Sequence, residues 1–161
     1  MSELSIRPAT ERDIPLILRF IRELAEYEKL AQEVAATEAL LRAALFGEHP
    51  AAEALIGSVD GEPAGYALFF PNFSTFLGRP GLHLEDLYVC PEHRGKGLGL
   101  ALLRRVAAIA VERDCARLEW SVLDWNEPAI GFYRELGAVP LHDWMVFRLS
   151  GEAIRLLAER R

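Results

Sequence analysis

The stretch Leu82-His83-Leu84-Glu85-Asp86-Leu87-Tyr88-Val89-Cys90-Pro91-Glu92-His93-Arg94-Gly95-Lys96-Gly97-Leu98-Gly99 decides how this chain is read. Its first half, through Val89, is an apolar strand interrupted by two carboxylates. Its second half carries three alternating glycines, Gly95, Gly97 and Gly99, and opens a long apolar-striped helix over 97–113. Glycines admit positive φ and let a ligand approach the backbone closely. The unpaired N–H groups at a helix start point at that ligand, and the helix dipole favours an anion there. Arg94 and Lys96 add positive charge on the same turn. The combination is built for a phosphate or pyrophosphate. A Walker A loop requires G-x-x-x-x-G-K-S/T, and Lys96 is followed by Gly97; a dinucleotide fingerprint requires a third glycine where Leu100 stands. What remains is Arg94-x-x-Gly97-x-Gly99.

Working outward, Leu4 to Arg7 reads as a first strand stopped by Pro8. A helix follows from Thr10 or Asp13, with Ile14, Ile17, Leu18, Ile21, Leu24 and Ala25 on one face. Thr10 with Asp13 has capping-box spacing, while Pro15 suits a first turn that puts the cap at Asp13. Thr37 caps a second helix. Segments 53–59 and 64–70 read as strands around Asp60-Gly61, a hairpin turn signal. Segment 71–81 is expected to be a loop. Residues 116–123 read as another strand. Ala129, Phe132, Tyr133 and Leu136 share the face of a short helix ending at Gly137. Residues 144–149 read as a last strand, followed by a helical tail. Early strands paired by a hairpin and later ones joined through helices predict a mixed sheet covered by helices, an α+β (α/β sandwich) fold.

The 161 residues suit one domain, 1–161, and 51% hydrophobic residues supply a core. A net charge of -6 argues against a nucleic-acid backbone as partner and suits a cationic one. Two cysteines, Cys90 and Cys115, form no paired motif and read as thiols in a reducing compartment. With no signal peptide and no membrane-length apolar run, the expected location is the cytoplasm. The four histidines show no HxH or HExxH spacing, so no metal is expected; His83 and Glu85 share a strand face, and substrate contact or surface placement is the preferred reading. There is no G-x-S-x-G elbow, and Cys90 beside Pro91 lacks a nucleophile motif.

Arg94-x-x-Gly97-x-Gly99 after an apolar strand resembles the pyrophosphate loop of the GNAT superfamily of N-acetyltransferases. Ile6-Arg7-Pro8-Ala9-Thr10 resembles the opening of such enzymes. Asn126-Glu127-Pro128-Ala129 with Phe132-Tyr133-x-x-Leu136-Gly137-Ala138 resembles their C-terminal motif. Glu23-Leu24-Ala25-x-Tyr27-Glu28, Gly47-Glu48-His49-Pro50, Leu84-Glu85-Asp86-Leu87-Tyr88-Val89 and Trp125-Asn126-Glu127-Pro128 narrow the likeness to the diamine (spermidine/spermine) acetyltransferase family, which includes members acting on thialysine.

The resemblance implies a largely antiparallel mixed sheet splayed at the acetyl-CoA site, acetyl-CoA as co-substrate, a small amine as acceptor, and a homodimer. It places the pyrophosphate on Arg94, Gly95, Lys96, Gly97, Leu98 and Gly99. Main-chain groups of Leu87 and Val89 would meet pantetheine. Asn126 contacts the cofactor, caps its helix, or does both. An alkylamine, with a pKa near ~10, is mostly protonated at neutral pH and needs a base before it can attack a thioester. Glu85, on the strand entering the loop, is the candidate base, directly or through water; the plain alternative is a solvated strand carboxylate. The resemblance makes Tyr133 the acid that returns a proton to the thiolate, against a core role on its apolar helix face. Tyr27 and Glu28 are expected to line the amine site with Glu85 and Asp86, although in a regular strand Asp86 points away from Glu85 unless a bulge intervenes. Glu33 reads as a solvated charge. Polyamine-acetylating relatives carry an acidic residue and a tryptophan in the loop before the catalytic strand. Here that loop is Ser74-Thr75-Phe76-Leu77-Gly78, which favours a shorter amine. The rival readings are acetylation of protein lysines or terminal amines, and an acyl-CoA-binding regulatory module without turnover. Donor choice between acetyl and another short acyl group depends on pocket volume.

Overall fold

The computed structural model describes residues 1–161, which fall into two compact units, 1–123 and 124–161. In the first unit a five-stranded sheet runs β1 (Leu4–Pro8), β2 (Glu53–Val59), β3 (Glu62–Ser74), β4 (Arg79–Val89) and β5 (Leu118–Glu119) in spatial as well as chain order. The first four strands are antiparallel neighbours, and β5 joins β4 in parallel. This is the mixed, largely antiparallel α+β architecture that the element pattern predicts.

The β2–β3 turn is set locally. Asp60 and Gly61 both take positive φ, 49° and 83°, as the tight hairpin turn with right-handed twist demands. The β3–β4 connection corrects the sequence reading. Segment 71–81 is not a loop: β3 continues to Ser74 and β4 begins at Arg79, so Asn72 pairs with Gly81 and Phe73 with Pro80. Prolines and glycines suggested a break. Pro80 and Pro71 sit instead within a few rungs of the turn of a long hairpin, opposite Phe73 and Leu82, where the ladder tolerates a missing donor.

Helix α1 (Ile14–Tyr27) and helix α2 (Glu38–Phe46) cover one face of the sheet. A 3-10 turn over Glu11–Asp13 precedes α1, so both start signals are used: Thr10 and Asp13 form a capping box, and Pro15 lies in the first turn of α1. Asp13 is almost fully buried. It accepts from both terminal nitrogens of Arg7 at 2.7 and 2.8 Å and from the Thr10 N–H at 2.7 Å. The Arg7 guanidinium holds its carboxyl below the usual range. Thr37 Oγ1 accepts from the Leu40 N–H and starts α2. Ile14, Ile17 and Phe20 pack on Ile56, Tyr66 and Tyr88, with Phe20 stacked on Tyr66 at 5.6 Å. Helix α3 (Leu98–Glu112) buries Leu98, Leu102, Leu103, Val106, Ile109 and Ala110 against β1 to β4.

The second unit holds helix α4 (Glu127–Glu135) and helix α5 (Glu152–Ala158). Residues 144–149, expected as a strand, form none, and Trp144, Met145, Val146, Phe147 and Leu149 are exposed. The apolar pattern is right for a strand, but a single strand needs a neighbour for its backbone groups, and the unit contains no other strand. The strand expected over 116–123 is likewise reduced to Leu118–Glu119.

Candidate active site

The key local event is an irregularity in β4. Leu68 of β3 faces Asp86 and the next residue, Phe69, faces Leu84, so Glu85 is an extra residue with no cross-strand partner. A bulge bends its strand and puts neighbouring side chains on the same side. Here it brings together two carboxylates that regular alternation would separate. The Glu28 carboxyl, at the end of α1, is pushed above its ordinary value by burial, then by Asp86 and by Glu85, so all three acids share one electrostatic neighbourhood. Burial also raises Asp86, a hydrogen bond from the Tyr66 hydroxyl at 2.5 Å lowers it, and Glu85 raises it again. Three carboxylates this close, two of them partly withdrawn from water, favour a cationic guest.

The acids border a cleft of about 290 Å³. Glu28 and Asp86 line it, with Ile21, Leu24 and Leu30 among its apolar walls. Glu33 lines it too, from the 3-10 turn Ala31–Glu33, and so is placed at the cleft rather than only in solvent. Glu85 remains more open, its side chain 55% exposed, with Oε2 3.4 Å from His83 Nε2. His83 in turn lies against the Phe70 ring at 5.0 Å.

Beyond Val89 the chain makes the turn that the glycines imply. After a 3-10 turn over Pro91–His93, Gly95 and Gly97 take positive φ of 80° and 90°, and Gly97 caps α3 without a side-chain bond. The first-turn N–H groups of α3 therefore keep no internal acceptor. A side chain at Gly95 would enter open space, so the cradle is unobstructed there. These residues fit a pyrophosphate. Arg94 is ordered beside it: Nε donates to the Val89 carbonyl at 3.0 Å, and the guanidinium lies 5.0 Å from the Tyr27 ring centre and 5.9 Å from that of Tyr88. Tyr27, expected at the amine site, thus also holds the cationic residue of the loop.

Pairing between β4 and β5 covers only Leu82 with Leu118 and His83 with Glu119. The ladder stops just before the bulge, which turns β4 away, and Leu84 to Val89 have no β5 partner. This is the splay that the resemblance implies, and it leaves Leu87 backbone available on that edge.

In the second unit Asn126 is the N-cap of α4, its Oδ1 accepting from the Ala129 N–H at 3.4 Å. The capping role is therefore present. Tyr133 lies on α4 with its ring 5.5 Å from that of Phe132.

Tyr66 was not singled out from the sequence. Its signal was available in part, because alternation from the Asp60-Gly61 turn puts Ala64, Tyr66 and Leu68 on one face. Its pairing with Asp86 depends on the bulge, which no local pattern announces.

Comparison with known proteins agrees with this geometry. The model of the acetyltransferase (GNAT) family matches residues 18–138. A thialysine N-epsilon-acetyltransferase of Bos taurus is 45% identical, over 98% of this chain and 99% of its own. An L-ornithine N5-acetyltransferase of Arabidopsis thaliana is 30% identical, over 94% of this chain and 86% of its own. Among solved structures, an integron cassette protein from the mobile metagenome of V. cholerae superposes with a TM-score of 0.79 at 27% identity, covering 98% of both chains. No helix is long and apolar enough to cross a membrane. With the glycine turn into α3, the bulged acidic strand and a family match spanning both, the chain belongs to the GNAT acetyltransferase family and is an N-acetyltransferase.

Proposed function

We propose that this enzyme acetylates the primary amine of a small molecule, a diamine or a thialysine-like amino acid, in the cleft bordered by Glu28 and Asp86. One observation carries the reading: the bulge at Glu85 joins a base to an acid-lined cleft on the strand that leads into the pyrophosphate loop. The likeness to thialysine and ornithine acetyltransferases supports the substrate class. The absence of an acidic residue in Ser74–Gly78 supports a shorter amine over a long polyamine.

Acetyl-CoA supplies an activated thioester when bound. The loop Arg94 to Gly99 would hold its pyrophosphate, and Leu87, Val89 and Asn126 would contact it elsewhere. Glu28 and Asp86 hold the cationic substrate, and Glu85 accepts the ammonium proton, directly or through one water. The nitrogen lone pair would then attack the thioester carbon, and the C–S bond would break as the amide forms. Tyr133 would give its proton to the leaving thiolate, and the second proton shed by the amide nitrogen would replace it; a phenol near ~10 is close enough to an alkyl thiol near ~8.5 for this at modest cost. Tyr133→Phe is expected to lower kcat by about 10- to 100-fold with little change in either KM. A rise in KM alone would remove Tyr133 from the acid role.

We place chain 1–161 as one acetyltransferase domain, since the family match crosses residues 123 and 124. The functional form is proposed to be a cytoplasmic homodimer, sedimenting at twice 18.0 kDa. The direct test of function is thiol release from acetyl-CoA with putrescine, spermidine, spermine, lysine, thialysine, ornithine and a lysine peptide. Turnover of one free amine in preference to the peptide is the expected result. Turnover of the peptide alone would overturn it.

A further inference from the structure

The most unusual polar contact in the first unit joins a fully buried side chain to a carboxylate in the cleft wall. Tyr66 is 0% exposed, yet its hydroxyl is not in an apolar contact; it donates to Asp86 Oδ2 at 2.5 Å. The ring cannot swing. It sits at the centre of β3, opposite Tyr88, and stacks on Phe20 at 5.6 Å with planes 19° apart. The hydroxyl is therefore a fixed point on a rigid core, and Asp86 is the partner it pins. Packing alone does not call for such a pair. Phenylalanine at 66 would fill the same volume, and a carboxylate half withdrawn from water is costly unless hydrogen bonds or a counter-charge compensate it.

We propose that Tyr66 is a positioning residue for the amine site: its hydroxyl fixes the Asp86 carboxylate through Oδ2, so that Oδ1 accepts from the cationic part of the substrate. This rests on the reading of the cleft as the amine site. It adds a residue that contacts no substrate and acts through Asp86.

Electrostatics give the contact a second consequence. Asp86 is faced by Glu28 from the end of α1, by Glu33 from the turn after it, by Glu85 from the bulge, and by Tyr66 from β3. Burial and Glu85 raise its pKa, and the Tyr66 hydrogen bond lowers it. Only the ionised form attracts an ammonium. Removing the hydroxyl raises the Asp86 pKa further, so cation binding is lost at a higher pH as the solution is acidified.

The test compares Tyr66→Phe, Asp86→Asn and the double variant, with the best amine from the panel as probe. Tyr66→Phe is expected to raise amine KM about 10-fold, the size of one hydrogen bond to a charged group, and to leave acetyl-CoA KM unchanged. The acid limb of its kcat/KM profile should move to higher pH. In the Asp86→Asn background, adding Tyr66→Phe should change amine KM no further, because its effect runs through Asp86. A loss in Tyr66→Phe that is equal at every pH, or additive with Asp86→Asn, would overturn the proposal and leave Tyr66 a packing residue. The cleft reading is tested separately: Asp86→Asn with wild-type amine KM would sink it, whereas a raised KM in Asp86→Asn beside a silent Tyr66→Phe sinks only the role of Tyr66.

Discussion

Glu85→Gln is expected to lower kcat/KM for the amine by about 100- to 1,000-fold at pH 7, within the range that a positioned general base contributes. An alkylamine with a pKa near ~10 offers roughly one neutral molecule in a thousand at that pH, so loss of the base leaves the reaction dependent on that minor form. The deficit should therefore shrink as pH is raised toward ~10, where the free base is abundant without help. Glutamine preserves the size and hydrogen-bonding capacity of the side chain. Glu85 is the extra residue of a bulge, with its side chain 55% exposed, so the substitution disturbs neither core nor ladder. Glu28 and Asp86 still attract the substrate, which should keep the change in kcat rather than KM. A pH-independent loss, or a rise in amine KM with kcat intact, would make Glu85 an electrostatic anchor like its two neighbours. Steady-state rates from pH 6 to 10 separate these outcomes.

What could be read from the residues follows a physical division. Features fixed within a few residues were legible. Asp60-Gly61 specifies its turn through two positive φ angles, and of the expected α1 stripe Ile14, Ile17 and Leu18 are buried, Ile21, Leu24 and Ala25 are half-buried, and the buried Phe20 lies outside it. Gly95-x-Gly97 specifies a left-handed entry to α3. Features that need two distant segments were not legible. The bulge at Glu85 exists because β3 and β4 must keep one register on each side of it, and its effect on Asp86 was visible only as a condition. Glu33 is exposed, as its reading as a solvated charge expects, but its place at the rim of a cleft depends on the packing of the 31–33 turn and is not local. Residues 144–149 show the converse error: an intrinsic strand pattern does not make a strand where nothing pairs with it. In the segment 71–81, the breaking tendency of Pro and Gly is outweighed by pairing along the long hairpin. The family motifs carried the site further than periodicity did, because each encodes a contact between segments that the pattern of one segment cannot contain.

Gly97→Val is expected to weaken acetyl-CoA binding by about 100-fold or more, with amine KM at saturating donor unchanged. Gly97 sits at φ 90° and ψ 4°, a conformation that a β-branched residue adopts only at a cost of about 1–3 kcal/mol. The strain has two exits. The backbone can relax toward negative φ, which swings the first-turn N–H groups of α3 away from the pyrophosphate. Otherwise the conformation holds, and two methyl-bearing branches stand where the phosphate must approach the main chain. Both exits end in lost donor binding. Neither requires unfolding, because a Cβ at this position would come no closer to the rest of the chain than 3.7 Å from Leu4 Cδ1, an ordinary contact. Gly99→Ala is the internal comparison. It stands on the same turn but has no left-handed φ, and its Cβ would meet Val89 Cγ2 at 3.7 Å. Alanine there is expected to cost far less. Titration of both variants with acetyl-CoA, alongside thermal unfolding, reads the difference. Equal losses would mean that bulk at the helix start, and not the handedness of the turn at Gly97, governs the site; a large loss confined to Gly97→Val ties donor binding to that one backbone angle.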